Sequence, residues 1–238
     1  MACFRSEGTV LCGICYNSDM LEDLKSEIIV TAQEAQRTGL MRHRSGNVSA
    51  LDKEKGLIVI TPSGIDREAL QIRDISVVRL EDLALIEGEK PSSETLMHAA
   101  CYRVREDIRA IVHTHSPVAT AFAVCERPVP AIVYEMFLFH TADGCIPVAP
   151  FARPGTKELA DAVAGVIKEN DLALMARHGA IAVGKSAEEA LLAAHYIEEF
   201  ATIYMHALQI SQGKEPAAFT RDELDAWEYP EEILPHRK

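Results

Sequence analysis

The feature that most constrains this chain is the stretch Lys90–Ser116, KPSSETLMHAACYRVREDIRAIVHTHS. Its second half, Ile108–His115, reads as a buried strand ending in His113-Thr114-His115, with Asp107 as the break before it. In an extended chain alternate side chains share a face, so the two imidazoles point the same way. The first half, Pro91-Ser92-Ser93-Glu94, has the form of a helix start. A serine can cap free amides there, and Glu94 falls in the first turn, where the helix dipole favours an anion. Thr95–Arg105 continues with rough helical spacing of Leu96, Ala99, Ala100, Tyr102 and Val104. One short unit thus offers a helix N-terminus suited to a phosphate and a strand end suited to a metal such as zinc.

The rest of the chain has to supply a core around that unit. With 238 residues, 48% of them hydrophobic, it can do so without staples. The formal charge of -12 argues against nucleic acid or an anionic membrane as partner. No apolar run approaches transmembrane length, and the N-terminus lacks the charged start and apolar centre of a signal peptide. Cys101, Cys125 and Cys145 stand in apolar context, as reduced thiols of a cytoplasmic protein would. Cys12 and Cys15 form a lone C-x-x-C with no second pair and no βαβ pattern around it. Residues 1–19 read as a loose extension ahead of a single domain over 20–238.

Periodicity predicts helices over Leu21–Thr38, Ala119–Val124, Gly155–Glu169 and Ser186–Gln209. It predicts strands at Leu57–Thr61, Ser76–Arg79, Asp82–Gly88, Ile146–Val148, Leu172–Met175 and Ala180–Val183. Ser45–Ser49 is a polar turn entering a strand, Pro62-Ser63-Gly64 a tight turn, and Pro128–Val133 a short extended piece. Helices and strands alternating in this way pack as helices on a mixed sheet.

Among nine histidines, His113, His115 and His178 stand at predicted strand ends or turns. A strand H-x-H, a distant third histidine and an acid make a zinc site with an open position. His98 follows Glu94 by four residues and shares its helix face, so on spacing it could be a ligand; the plainer reading is a core histidine.

The chain resembles the class II aldolase/adducin superfamily, and within it the L-fuculose-phosphate aldolase branch, from about Leu21 to Leu208. The resemblance rests on Ser45-Gly46-Asn47-Val48-Ser49, Thr61-Pro62-Ser63-Gly64, Pro91-Ser92-Ser93-Glu94, His113-Thr114-His115 and His178-Gly179, in that order. It implies a three-layer α/β/α domain on a mixed, largely antiparallel sheet. It also implies a C4 homotetramer with active sites between subunits, and one Zn²⁺ per subunit. The ligands would be His113, His115, His178 and Glu94, with Glu94 also the base. A sugar phosphate would rest on Gly46, Asn47, Ser63, Gly64, Ser92 and Ser93. Tyr134, from a neighbouring subunit, would help protonate the aldehyde oxygen, and Tyr229 matches a second tyrosine of the family's tail.

The activity so implied is cleavage of a ketose 1-phosphate, such as L-fuculose 1-phosphate, to dihydroxyacetone phosphate and an aldehyde. Two departures bear on the substrate: Arg44 stands where a small hydroxyl residue is usual, and Glu135–Cys145 differs where the aldehyde end should be shaped. The same superfamily holds L-ribulose-5-phosphate 4-epimerase and methylthioribulose-phosphate dehydratase. The epimerase resembles this chain at GNVSA and VHTHS, but it has aspartate at the place of Glu94. Adducin heads, assembly modules without the metal ligands, are the reading that fits least, since Glu94 and all three histidines are present.

Overall fold

The computed structural model describes residues 18–228. The expected extension with Cys12 and Cys15, and Tyr229 in the tail, lie outside the described residues. The chain opens with α1 (Ser18–Arg37), then β1 (Asn47–Asp52) and β2 (Leu57–Ile60). Two 3-10 turns, Arg67–Ala69 and Ile72–Asp74, lead to β3 (Ser76–Arg79) and β4 (Leu85–Glu87). Next come α2 (Thr95–Val104), β5 (Ala110–Thr114), α3 (Pro117–Val124) and β6 (Val129–Pro130). A 3-10 turn over Tyr134–Leu138 precedes β7 (Cys145–Ile146), β8 (Val148–Ala149) and α4 (Lys157–Ile167). The chain closes with β9 (Leu172–Met175), β10 (Gly179–Gly184), α5 (Ala187–Ile210) and α6 (Arg221–Asp225).

Eight strands form one sheet in the order β4-β3-β2-β1-β5-β10-β9-β8, and β6 pairs with β7 beside it. Every pairing in the large sheet is antiparallel except β8 with β9. The central strand β5 runs between β1 and β10, with His113 opposite Asn47 on one side and Ile181 on the other. Alternate residues of these strands feed two cores. Val48, Val112 and Ala182 pack under α1, α3 and α5 with Ile28, Ile197 and Phe200. Ile60, Ile111 and Ile181 pack under α2 and α4 with Met97, Cys101 and Val163. A sheet covered on both faces favours apolar residues on both sides of a strand, which is why Ala110–Val112 is apolar without a break. The architecture is the expected α/β/α sandwich on a mixed, largely antiparallel sheet.

Several boundaries differ from expectation, each for a local reason. Ile146–Val148 is two strands: β7 pairs with β6, and β8 joins β9. Pro147 between them has no amide to carry a ladder through, and only its carbonyl accepts, from Leu174 N at 2.8 Å. The strand expected to reach His115 stops at Thr114, because Pro117 opens α3 and the chain must turn out of the sheet. Helix α2 starts at Thr95 and leaves Glu94 at the capping position, where its side chain caps nothing. The serine contributes more weakly than expected: Ser92 Oγ accepts from Glu94 N at 3.3 Å. Helix α6 was not foreseen, although Thr220 and Glu223 close a capping box there. No described helix is long and apolar enough to cross a membrane.

Candidate active site

Glu94, His113, His115 and His178 come together at one end of the sheet, with one ligand atom of each within 4.8 Å of all the others. β5 delivers His113, His115 follows one residue past its end, and His178 sits in the turn between β9 and β10. Glu94 reaches them from the head of α2. Two glycines make this convergence possible. A Cβ on Gly179 would stand 2.3 Å from Thr114 O and 3.2 Å from both His113 and His115. A Cβ on Gly46, where φ is +75°, would stand 2.6 Å from His113 O. Only glycine permits these close approaches, and the left-handed turn at Gly46 as well.

The hydrogen bonds show what the cluster lacks. His113 Nδ1 lies 2.8 Å from Ala180 O, which can only accept. Nδ1 therefore carries the proton, and in the neutral ring Nε2 presents a lone pair. That lone pair faces Glu94 Oε2 at 2.9 Å and His115 Nε2 at 3.0 Å. Glu94 Oε1 lies 3.2 Å from His178 Nε2. Acceptors converging in a buried site call for a positive charge among them, either a proton or a metal ion. Three imidazoles and one carboxylate are the donors that zinc takes, so the residues fit that ion.

The groups titrate as that crowding dictates. Burial disfavours the Glu94 anion, but the His113 and His178 rings and the Asn47 amide outweigh it and hold the carboxyl well below its ordinary range. His113 is raised: burial alone would lower it, and the Glu94 carboxylate and the Ala180 carbonyl reverse that. His115 and His178 are pushed down to about 4, first by burial and then by neighbouring imidazoles. Both are neutral near pH 7 and free to ligate.

Three of the four, Glu94, His115 and His178, line a cavity of about 330 Å³, with His113 buried behind them. All six residues expected around a phosphate line that cavity. Ser63, Gly64 and Ser93 are exposed at its mouth, Ser92 is half-buried, and Gly46 and Asn47 are buried. Asn47 Nδ2 is engaged on the metal side, donating to Glu94 Oε2 at 2.9 Å. Arg44, the unusual residue before Gly46, lines the cavity as well. A larger cleft of about 580 Å³ lies elsewhere, but its Arg105 is already held by Asp107 and Asp171, each at 2.8 Å.

Some expectations part from the geometry. His98 does not join the cluster: its Nδ1 shares a 2.6 Å hydrogen bond with Ser49 Oγ, which lies 2.8 Å from the Tyr102 hydroxyl. The helical spacing that brings His98 near Glu94 turns its ring into the core, where it is fully buried. Tyr134 does not line the cavity of its own chain; its ring packs on Phe137 and Phe219 at centroid distances of 5.5 and 5.4 Å. Trp227, two residues before Tyr229, stacks on Phe137 at 4.4 Å. No residue of Glu135–Cys145 lines the cavity within its own chain. Sequence reasoning missed Arg67, a buried lining residue, because Asp66-Arg67-Glu68 reads as a solvated charge run.

Known proteins share the fold and align over most of the chain. The family described as Class II Aldolase and Adducin N-terminal domain matches residues 26–205. A 5-deoxy-D-ribulose 1-phosphate aldolase of Bacillus thuringiensis serovar kurstaki is 37% identical over 207 residues, 87% of this chain and 94% of that protein. An L-fuculose phosphate aldolase of Escherichia coli O6:H1 is 37% identical over 189 residues, 79% of this chain and 85% of its own length. The solved structure of an L-fuculose 1-phosphate aldolase superposes with a TM-score of 0.80 at 35% identity, covering 85% of this chain and 93% of that one. With the matched span, the sheet order and the extent of shared sequence in agreement, the chain belongs to the class II aldolase and adducin family, and within it is a lyase of the fuculose-phosphate aldolase type.

Proposed function

We propose that this enzyme uses zinc to cleave a ketose 1-phosphate, L-fuculose 1-phosphate or a similar deoxy-pentulose or deoxy-hexulose 1-phosphate, into dihydroxyacetone phosphate and an aldehyde. The observation that carries this reading is the cavity itself: Glu94, His115 and His178 of the cluster wall one side, and hydroxyls, a glycine turn and arginines line the remainder. The relatives' names differ in the sugar and agree on a sugar phosphate.

His113, His115 and His178 would hold the ion, with Glu94 as fourth ligand until substrate enters. Zinc, when bound, supplies a Lewis acid for negative charge on the two oxygens beside the reacting carbon. Gly46, Asn47, Ser63, Gly64, Ser92 and Ser93 fix the phosphate, so binding energy orients that carbon towards Glu94. Written in the direction of bond formation, Glu94 removes a proton from the carbon that attacks, and Tyr134 of a neighbouring subunit protonates the aldehyde oxygen. Cleavage is the reverse. Burial of Glu94, 6% exposed, keeps bulk water from competing for that proton. Tyr134 faces away from its own cavity, which supports a homotetramer whose sites are completed across subunits. The free thiols Cys101, Cys125 and Cys145 support a cytoplasmic enzyme.

Proton exchange on dihydroxyacetone phosphate in D₂O, followed by NMR with and without a chelator, tests the reading without the aldehyde. Metal-dependent exchange is expected. Glu94→Gln should keep metal within a few-fold and lose about 10²–10⁴-fold of the exchange rate, the worth of a positioned base. No exchange by the zinc-loaded wild type would move the assignment to the epimerase or dehydratase.

A further inference from the structure

Arg67 is charged and buried, and among the described residues no carboxylate forms an ion pair with it; Asp66, its chain neighbour, acts on it only through space. It is 2% exposed and opens the 3-10 turn that follows the Thr61-Pro62-Ser63-Gly64 turn. Its guanidinium spends two of its five N–H groups on carbonyls: Nη2 donates to Gly46 O at 2.5 Å and Nη1 to Ile65 O at 3.2 Å. Nε is buried with no partner at all. No carboxylate among the described residues pairs with it, and the side chain of neighbouring Asp66 turns to Glu68 N instead.

An arginine cannot shed its proton, so a buried one is completed either by an acid of the protein or by something that enters. Here nothing in the protein completes it, and it lines the cavity beside Gly46, Ser63 and Gly64. Stapling the Gly46 turn accounts for two N–H groups. It does not account for an unneutralised charge or for the idle Nε. The ligand that needs both is an anion with several acceptor oxygens, which a guanidinium fork matches. The need is sharpened by the chain's formal charge of -12, which repels an approaching dianion unless a local cation offsets it.

We propose that Arg67 is a specificity-determining residue of the anion seat, its guanidinium opposing the substrate phosphate and setting the preference for phosphorylated over unphosphorylated ketose. The inference rests on the aldolase reading and adds to it a residue outside the six phosphate positions named above. Arg67 does not move a proton. It selects and anchors the end of the substrate that does not react.

The test compares proton exchange on dihydroxyacetone phosphate with exchange on unphosphorylated dihydroxyacetone, in zinc-loaded wild type, Arg67→Met and Arg67→Lys. In parallel, the rise in melting temperature caused by inorganic phosphate is measured on the metal-free proteins. Arg67→Met should lower kcat/KM for the phosphorylated substrate by about ten- to a hundredfold, the worth of hydrogen bonds to a charged group. It should leave the unphosphorylated substrate within about threefold and abolish most of the phosphate-induced melting shift. Equal losses on both substrates with an unchanged phosphate shift would make Arg67 a staple only and overturn the proposal. Should Arg67→Met not fold, Arg67→Lys decides, because an ammonium cannot span the Gly46 carbonyl and an anion together. Its phosphorylated-to-unphosphorylated ratio should fall, and an unchanged ratio overturns the proposal. A wild type that exchanges while its variants match it sinks this inference alone. A wild type that does not exchange sinks the aldolase reading and this inference with it.

Discussion

At the scale of single residues, His98 shows how position overrides type. It has the spacing of a ligand, yet its ring is locked into the core by Ser49, and its Nε2 is buried without a partner. Burial above all, and then the charge on His113, push His98 down to about 3 from its ordinary 6.5. Its folded pKa is thus depressed. Below pH 6.5 the unfolded chain takes up a proton that the folded one refuses, so stability falls as pH drops towards 3. Between pH 7.5 and 5.5 this single group should cost about 1.4 kcal/mol. Urea midpoints of metal-free wild type and His98→Asn at those two pH values check it: the wild type should lose about that much more than the variant. Identical acid losses would mean that His98 titrates normally. Of the four clustered side chains, His113 and His115 stood out in the sequence because H-x-H is a local pattern, whereas His178 and Glu94 were drawn in by likeness to the family. The place of His98 was not legible, since four-residue spacing says which helix face a ring shares but not whether that face meets the core or the site. Arg67 was illegible for the same kind of reason: nothing in Asp66-Arg67-Glu68 distinguishes a charge that turns inward.

At the scale of elements, the β9–β10 hairpin and the end of β5 act as one device. Met175 and Gly179 pair across the turn that holds His178, and the ladder continues into β5 through Ala180 and Thr114. Gly179 is the hinge point, where even one methyl group would press on Thr114 O and on two of the imidazoles. Gly179→Ala should therefore force the strands apart, at about 1–3 kcal/mol, as overpacking elsewhere does. It should also release metal, which melting curves and metal analysis of the purified variant would show. A variant that melts like wild type with full metal would contradict the close approach. Element types were readable because the strands β2, β5 and β9 carry short apolar runs, whereas the helices keep a 3.6-residue stripe. Boundaries slipped where a proline decided the matter: Pro147 divides one expected strand into two, and Pro117 ends another early.

At the scale of the whole molecule, Tyr134 sets the condition that matters. Its ring packs on Phe137 and Phe219 and does not line the cavity of its own chain, so the role proposed for it requires a second copy. Glu94→Gln and Tyr134→Phe subunits, each nearly inactive alone, should therefore recover part of wild-type exchange when dissociated together and reassembled. A mixture as inactive as its parents would place both residues in one subunit's site. This level was invisible to periodicity and spacing, because an interface leaves no pattern within one chain; only likeness to relatives pointed to it. The central pairing of β5 with β10 has a last consequence, one of timing. It joins residues as distant along the chain as Ala110 and Gly184, and until it closes only His113 and His115 are neighbours. Such non-local pairing is the slow part of folding. A divalent ion meeting the unfolded chain would find half a site, so it should bind after the sheet has zipped: stopped-flow traces with and without zinc should show slower unfolding and an unchanged rate of folding.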